Sequence, residues 1–235
     1  MKSILNIAKE VADLSAVKRP ESLFNSASLS DSIFLSVAKS TLDSLLRYGD
    51  WPELVREASF VTTPPRKYYQ LSEICPDFYA LIPNTIYIKD SKEKIIGSIT
   101  AEEWIKSKYI SNDALNVKFR IEHGMIKFIS LPDDPVKIVF QYRANFTCLD
   151  AKTFIEKSDI SADSDFPIFD EYLVKIGMLW RWLKRSGLDY SEEYNEYERE
   201  LKKKFAASVA AGDINLTSQF DNYPQGVTLN VKVVC

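Results

Sequence analysis

Proline placement constrains this chain more than any other feature. Of its ten prolines, seven lie between Pro52 and Pro135, while residues 21–51 and 168–212 contain none. Proline lacks a backbone donor and clashes with the preceding helical turn, so long helices are confined to the two flanks. The expected fold is therefore α+β. A helical bundle is formed from both ends of the chain (1–57 and 166–212), a β-rich insertion (58–165) interrupts it, and an extended C-terminal arm (213–235) follows.

The N-terminal flank predicts a short amphipathic helix around 3–17, a break at Pro20 and a longer helix around 30–47. In the longer one Ile33, Phe34, Val37, Thr41, Leu45 and Tyr48 repeat at helical spacing, and Gly49 stands where a left-handed cap belongs. Trp51 to Arg56 is expected to pack back on this pair. In the C-terminal flank, Phe169, Tyr172, Leu173, Ile176, Trp180 and Leu183 form a stripe that Gly187 ends. A second helix follows from about 190 to 211, with Asp189 and Glu192 as a cap pair, Tyr194, Tyr197, Leu201, Phe205 and Val209 on one face and Gly212 as its stop. Its acidic first half and basic Lys202–Lys204 segment suit the helix dipole and i,i+4 pairing.

The centre changes to period two. Val117, Phe119 and Ile121 alternate with Lys118, Arg120 and Glu122, and Ile126 and Phe128 resume the series after His123-Gly124. A two-residue turn there sets Ile121 opposite Ile126 and Phe119 opposite Phe128, with all four on one face. Ile138, Phe140 and Tyr142 supply a further strand, and the isoleucines from Ile86 to Ile99 a second hairpin around Asp90-Ser91. Thr100 and Glu103 form a capping box for a short helix carrying Trp104.

Several functional classes lack support. The only histidine, His123, falls on the hairpin turn, and three widely spaced cysteines contain no C-x-x-C pair, so His-dependent triads and zinc sites are disfavoured. Seven glycines include no phosphate-binding pattern. From Asp159, carboxylates fall at positions 1, 5, 7 and 12 of a would-be calcium loop, but Ser164 replaces its glycine and Pro167 interrupts it, so a solvated acidic linker is expected. Asp77 and Glu103 are the acids available for a carboxylate-pair enzyme. A net charge of -3 lacks the basic excess of phosphate-gripping proteins, and no apolar run approaches a membrane span. Met1–Lys18 mixes apolar residues with charges and does not read as a signal peptide. No catalytic residue, cofactor or metal ligand is assigned.

Two features point outward. Trp182 and Met178 lie on the back of the Phe169 stripe, and a tryptophan there needs cover from the insertion or from a neighbouring subunit, which makes the pair a candidate subunit interface. In the arm, Val227, Leu229, Val231 and Val233 alternate like a strand that must find a partner.

The run from Ile176 through Trp180, Arg181 and Trp182 to Lys184, then Gly187-Leu188-Asp189-Tyr190 and a Tyr194/Tyr197 helix, resembles the C-terminal signature of head-to-tail adaptor proteins of tailed bacteriophages. The likeness continues upstream through a two-helix start, Trp51 with Leu54, Tyr69-x-Leu71, Asp77-Phe78, Leu81-Ile82, Trp104, Phe119-Arg120-Ile121 and Phe140-x-Tyr142 with Phe146. It covers the chain to about Gly212, and the arm matches in kind only. The resemblance implies a non-enzymatic virion protein of the neck, assembled in the host cytoplasm. Its copies form a homo-oligomeric ring, typically of twelve subunits, on the portal protein. The ring extends the DNA channel and offers a docking surface to the next tail component or stopper. It implies an arm that docks on the portal, here Phe220, Tyr223, Val227, Leu229, Val231 and Val233. An acidic lumen lets DNA slide without specific binding, which makes Glu192, Glu193, Glu196 and Glu200 candidate channel-facing acids. The alternative is a soluble interaction or scaffold module outside any virion.

Overall fold

The computed structural model describes residues 1–26, 28–109 and 116–212, a mixture of helix and strand. The first helix, α1 (Ile4–Leu14), begins at Ser3, whose hydroxyl accepts from the Asn6 N–H. Its first-turn donors, which no helix satisfies internally, are taken up from afar: Ile4 N–H bonds the Asp165 carbonyl at 2.9 Å and Leu5 N–H that of Asp163 at 3.2 Å. The second, α2 (Leu29–Tyr48), buries Phe34, Val37, Ala38, Thr41, Leu42 and Leu45; of the expected stripe, Ile33 is half-buried and Tyr48 is 40% exposed.

Gly49 is not a left-handed cap. Its φ of 179° is extended backbone, and the reason for glycine is space: a Cβ would lie 2.4 Å from Cζ of Phe205. Trp51 packs back as expected, its Nε1 donating to the Leu45 carbonyl at 2.8 Å and its ring meeting Phe169 and Phe205 edge-on.

A single turn, Pro52–Leu54, leads into β1 (Val55–Val61), so the strand region starts three residues before the expected boundary. There follow β2 (Tyr68–Gln70), α3 (Leu71–Ile74), β3 (Phe78–Leu81), β4 (Tyr87–Ile88), β5 (Glu93–Lys94), α4 (Ala101–Tyr109), β6 (Lys118–Glu122), β7 (Met125–Ile129) and β8 (Lys137–Ala144). The short β9 (Cys148–Leu149), β10 (Glu156–Lys157) and β11 (Phe166–Pro167) complete the series. Strand β8 is central, antiparallel to β1 on one side and to β3 and β4 on the other. Its Ile138 and Phe140 are buried, with the Phe140 ring 6.4 Å from that of Phe60.

The β6–β7 hairpin has the expected register, Phe119 opposite Phe128 and Ile121 opposite Ile126. His123 and Gly124 turn it with φ of 51° and 72°, the paired positive angles of a type I′ turn. Strand β2 joins the other edge of β7, and this sheet meets the β8 sheet through Phe60, which contacts Tyr69, Phe128 and Phe140 at ring separations of 4.8, 6.3 and 6.4 Å. The Thr100–Glu103 capping box also forms: Glu103 N–H donates to Thr100 Oγ1 at 3.2 Å, and Thr100 N–H to Glu103 Oε2 at 3.0 Å.

The chain returns to helix in α5 (Glu171–Arg185) and α6 (Ser191–Gly212). Asp170 caps α5 by accepting from Leu173 N–H. At the other end Leu188 N–H reaches Leu183 O and Gly187 N–H reaches Lys184 O, a Schellman closure with Gly187 at φ 73°. Helix α5 packs against α1, α2 and α6 together, so Val174, Gly177 and Met178 are as deeply buried as the predicted Leu173 and Ile176. Asp189 does not pair with Glu192; it accepts from Ser191 N–H and Oγ, and α6 starts with Tyr194 N–H bonded to Tyr190 O.

Candidate functional site

Trp182 is only 6% exposed and Met178 is fully buried. The indole is covered by its own chain: it stacks on Phe34 of α2 with centroids 4.1 Å apart and planes within 1°. This removes Met178 and Trp182 as a subunit interface. A helical wheel with one apolar stripe describes a helix with one buried face, whereas α5, enclosed by three other helices, buries its back as well. The stripe's own Tyr172 is 41% exposed, and Trp180 sits at the margin against Tyr190, Tyr194 and Tyr197.

The four candidate channel-facing acids of α6 do not share one environment. Glu192 is exposed and Glu193 half-buried. Glu196 accepts a hydrogen bond from the Tyr172 hydroxyl, which holds that phenol above its ordinary pKa. Glu200 is mostly covered and lies 3.5 Å from Lys203. Glu196 and Glu200 therefore run along the α5 border, and Glu192 has the freest access to solvent. The arm residues Phe220, Tyr223, Val227, Leu229, Val231 and Val233 lie outside the described residues.

The acidic linker is a set of anchors, not a solvated segment. Asp165 is fully buried and accepts from Lys157 Nζ at 2.7 and 2.8 Å and from the N–H groups of Ser161 and Ala162. Burial by itself raises its pKa; Lys157 and those two N–H groups outweigh this and hold it below the usual carboxylate range. Asp163 accepts from Ser22 Oγ and Leu23 N–H, Asp159 pairs with Lys39, and Asp170 pairs with Lys204 at 2.7 Å. These carboxylates diverge to different partners, and among the described residues no group of acids, histidines or cysteines is placed to hold a metal.

His123 projects from its turn with its side chain 82% exposed, beside Glu122. Asp77 accepts from the Tyr142 hydroxyl at 2.7 Å, and Glu103 is engaged in its capping box. Burial pushes the Cys75 and Cys148 thiols up to about 11, which keeps them protonated and unreactive near neutral pH. No helix among the described residues is long and apolar enough to cross a membrane.

A cavity of about 680 Å³, which no spacing in the sequence announces, lies at one end of α1, α5 and α6. Ile7, Trp51 and Phe169 contribute to its wall, while Lys2, Lys175 and Lys204 stand beside Glu10, Asp170 and Glu171. The charges are paired: Lys2 and Lys175 share Glu10, which lowers its pKa, Lys204 meets Asp170, and the N-terminal ammonium lies 3.6 Å from Glu171. Ser208 reaches the cavity from α6 and donates to the Phe205 carbonyl. An apolar wall with neutralised charges suits contact with polypeptide, and its lining holds neither histidine nor cysteine.

No family model matches this chain, and no curated protein matches it.

Proposed function

We propose that this chain is a structural virion protein, a head-to-tail adaptor whose copies close into a ring on the portal. The ring extends the channel for the genome and gives the tail its attachment surface. The α5–α6 hairpin is the observation that carries this reading. The residues behind the family resemblance form one packed unit: Trp182 stacks on Phe34, Trp180 sits among Tyr190, Tyr194 and Tyr197, and Gly187 closes the turn. A signature whose members pack on one another encodes an architecture, so the likeness bears on how the protein is built rather than on a reaction.

On this reading the helices from the two ends of the chain form the ring-building bundle, the insertion 58–165 faces the next tail component or stopper, and the arm 213–235 docks on the portal. The protein is non-enzymatic, twelve copies are expected, and it resides in the neck of the virion after assembly in the host cytoplasm. A closed ring needs two different patches per subunit. With Met178 and Trp182 enclosed, these patches lie on the outer surfaces of the bundle. Glu192 and Glu193, the more open acids of α6, are the best placed to face the channel, where negative charge keeps DNA from being held by released counterions.

Co-expression with the cognate portal, followed by sizing and electron microscopy, tests the reading. A ring joined to the portal is expected, and loss of residues 213–235 abolishes docking without unfolding the helices. A monomer that ignores the portal at micromolar concentration contradicts it and favours the free interaction module.

A further inference from the structure

The last two turns of α5 hold three cations that have no carboxylate partner among the described residues. Arg181, Lys184 and Arg185, together with Trp180 and with Ser36 and Ser40 of α2, line a surface cavity of about 430 Å³ that has no acidic residue in its wall. Elsewhere on α5 and α6, Lys175, Lys202 and Lys204 are each ion-paired. Arg181 instead donates to the Gly177 carbonyl at 2.9 Å and touches Thr41 Oγ1 at 3.4 Å, with its guanidinium 4.3 Å from the Trp180 ring centroid and 5.4 Å from that of Tyr197. Burial lowers its pKa, and the groups facing it are the phenols of Tyr197 and Tyr194.

Lys184 Nζ lies over the Trp180 and Tyr190 rings, and Arg185 Nη1 is 3.3 Å from Ser36 Oγ. The indole Nε1 of Trp180 is itself buried with no hydrogen-bond partner among the described residues. Cations in a last helical turn are favoured by the helix dipole, which accounts for Lys184 and Arg185. It does not account for Arg181, a turn earlier and largely removed from water, because a desolvated charge without a counter-ion is costly.

We infer that this cavity is an oxyanion site of the phosphate class. Two guanidinium groups, an ammonium and two serine hydroxyls supply more positive charge and more donors than a single carboxylate can use, and a tetrahedral, multiply charged oxyanion engages them together. The source of the phosphate is either the free inorganic ion or the backbone of DNA. The inference does not depend on the adaptor reading.

Equilibrium dialysis of the full chain against labelled inorganic phosphate, at fixed ionic strength in chloride, tests it. A saturable site is expected, weakened at least about tenfold in Lys184→Gln/Arg185→Gln, because each charge-assisted hydrogen bond contributes at least that factor. Both side chains are exposed, so this variant keeps the fold. Arg181→Lys, which retains charge but loses the fork, weakens binding as well. A second arm adds a short DNA duplex: displacement of phosphate assigns the site to backbone phosphate, and its failure assigns it to the free ion. Absence of saturable binding of either, or binding unchanged in the double variant, overturns the inference.

Discussion

Phe34 and Trp182, one from each end of the chain, lie face to face at 4.1 Å with their planes within 1° of parallel. The stack joins α2 to α5 and makes the N-terminal helices and the C-terminal hairpin parts of one core, which runs from Ile4 to Leu201. Trp182→Ala is expected to cost about 3–5 kcal/mol, the range for removing a large buried aromatic side chain. Urea unfolding of the variant measures it. A loss confined to assembly, with chain stability unchanged, contradicts the enclosed position of the indole.

Gly177 makes a second prediction. A Cβ there would lie 2.7 Å from Thr41 Cγ2 and 2.9 Å from Tyr197 Cε2, so α2 and α6 approach α5 at this residue. Gly177→Ala gains about 1 kcal/mol of helix propensity, but overpacking costs about 1–3 kcal/mol. The net change expected in thermal or urea unfolding is destabilising. Gly187→Ala has open space around its Cβ, and its cost is the left-handed backbone alone, about 1–2 kcal/mol.

The Asp165–Lys157 pair sets a pH dependence. Asp165, Asp170 and Glu10 all have pKa values below their ordinary range in the folded protein. A depressed carboxylate contributes stability that is complete above its unfolded pKa, about 4, and is lost as the pH falls through the folded value. Stability is therefore expected to hold from neutrality down to about pH 5 and to decline below pH 4. Asp165→Asn is expected to cost about 3 kcal/mol at neutral pH, the lower end for a broken buried pair, because Lys157 keeps Asp150 at 3.4 Å. It also flattens the acid limb of the stability curve, which denaturant titrations at a series of pH values measure.

The β6–β7 turn was legible in full from sequence because its signals are local: period two on both sides and a residue pair suited to positive φ. The capping box at Thr100 was legible for the same reason, as both partners lie within four residues. What failed depended on distant partners. Nothing near Asp159, Asp163 or Asp170 announces Lys39, Ser22 or Lys204, so carboxylates that anchor the helices looked like a solvated linker. A wheel puts Trp182 behind the stripe, in need of cover from the insertion or a second subunit, because it describes one helix and cannot count that helix's neighbours; Gly177, within a run from Val174 to Leu179 broken only by Lys175, is the available sign of close packing on several sides. Gly49 stands at a cap position in the sequence, but the ring of Phe205, too distant in the chain to be foreseen, is what requires it. The cavities at the base of α1 and at the end of α5 gather residues from both ends of the chain, which no spacing rule connects.

His123 separates a turn residue from a catalytic one. At φ 51° before Gly124, asparagine is an equally suitable occupant. His123→Asn is expected to change stability by less than about 0.5 kcal/mol, the usual range for a surface substitution, and to leave assembly intact. Loss of function in a variant with unchanged unfolding contradicts this assignment.

The adaptor reading meets its most direct test in the mass of the complex that the full chain forms with its cognate portal, measured by light scattering after co-expression and sizing. The expected result is a single species in which many copies of this chain, twelve by the resemblance, ride on the portal ring. A chain that elutes as a monomer apart from an intact portal contradicts it.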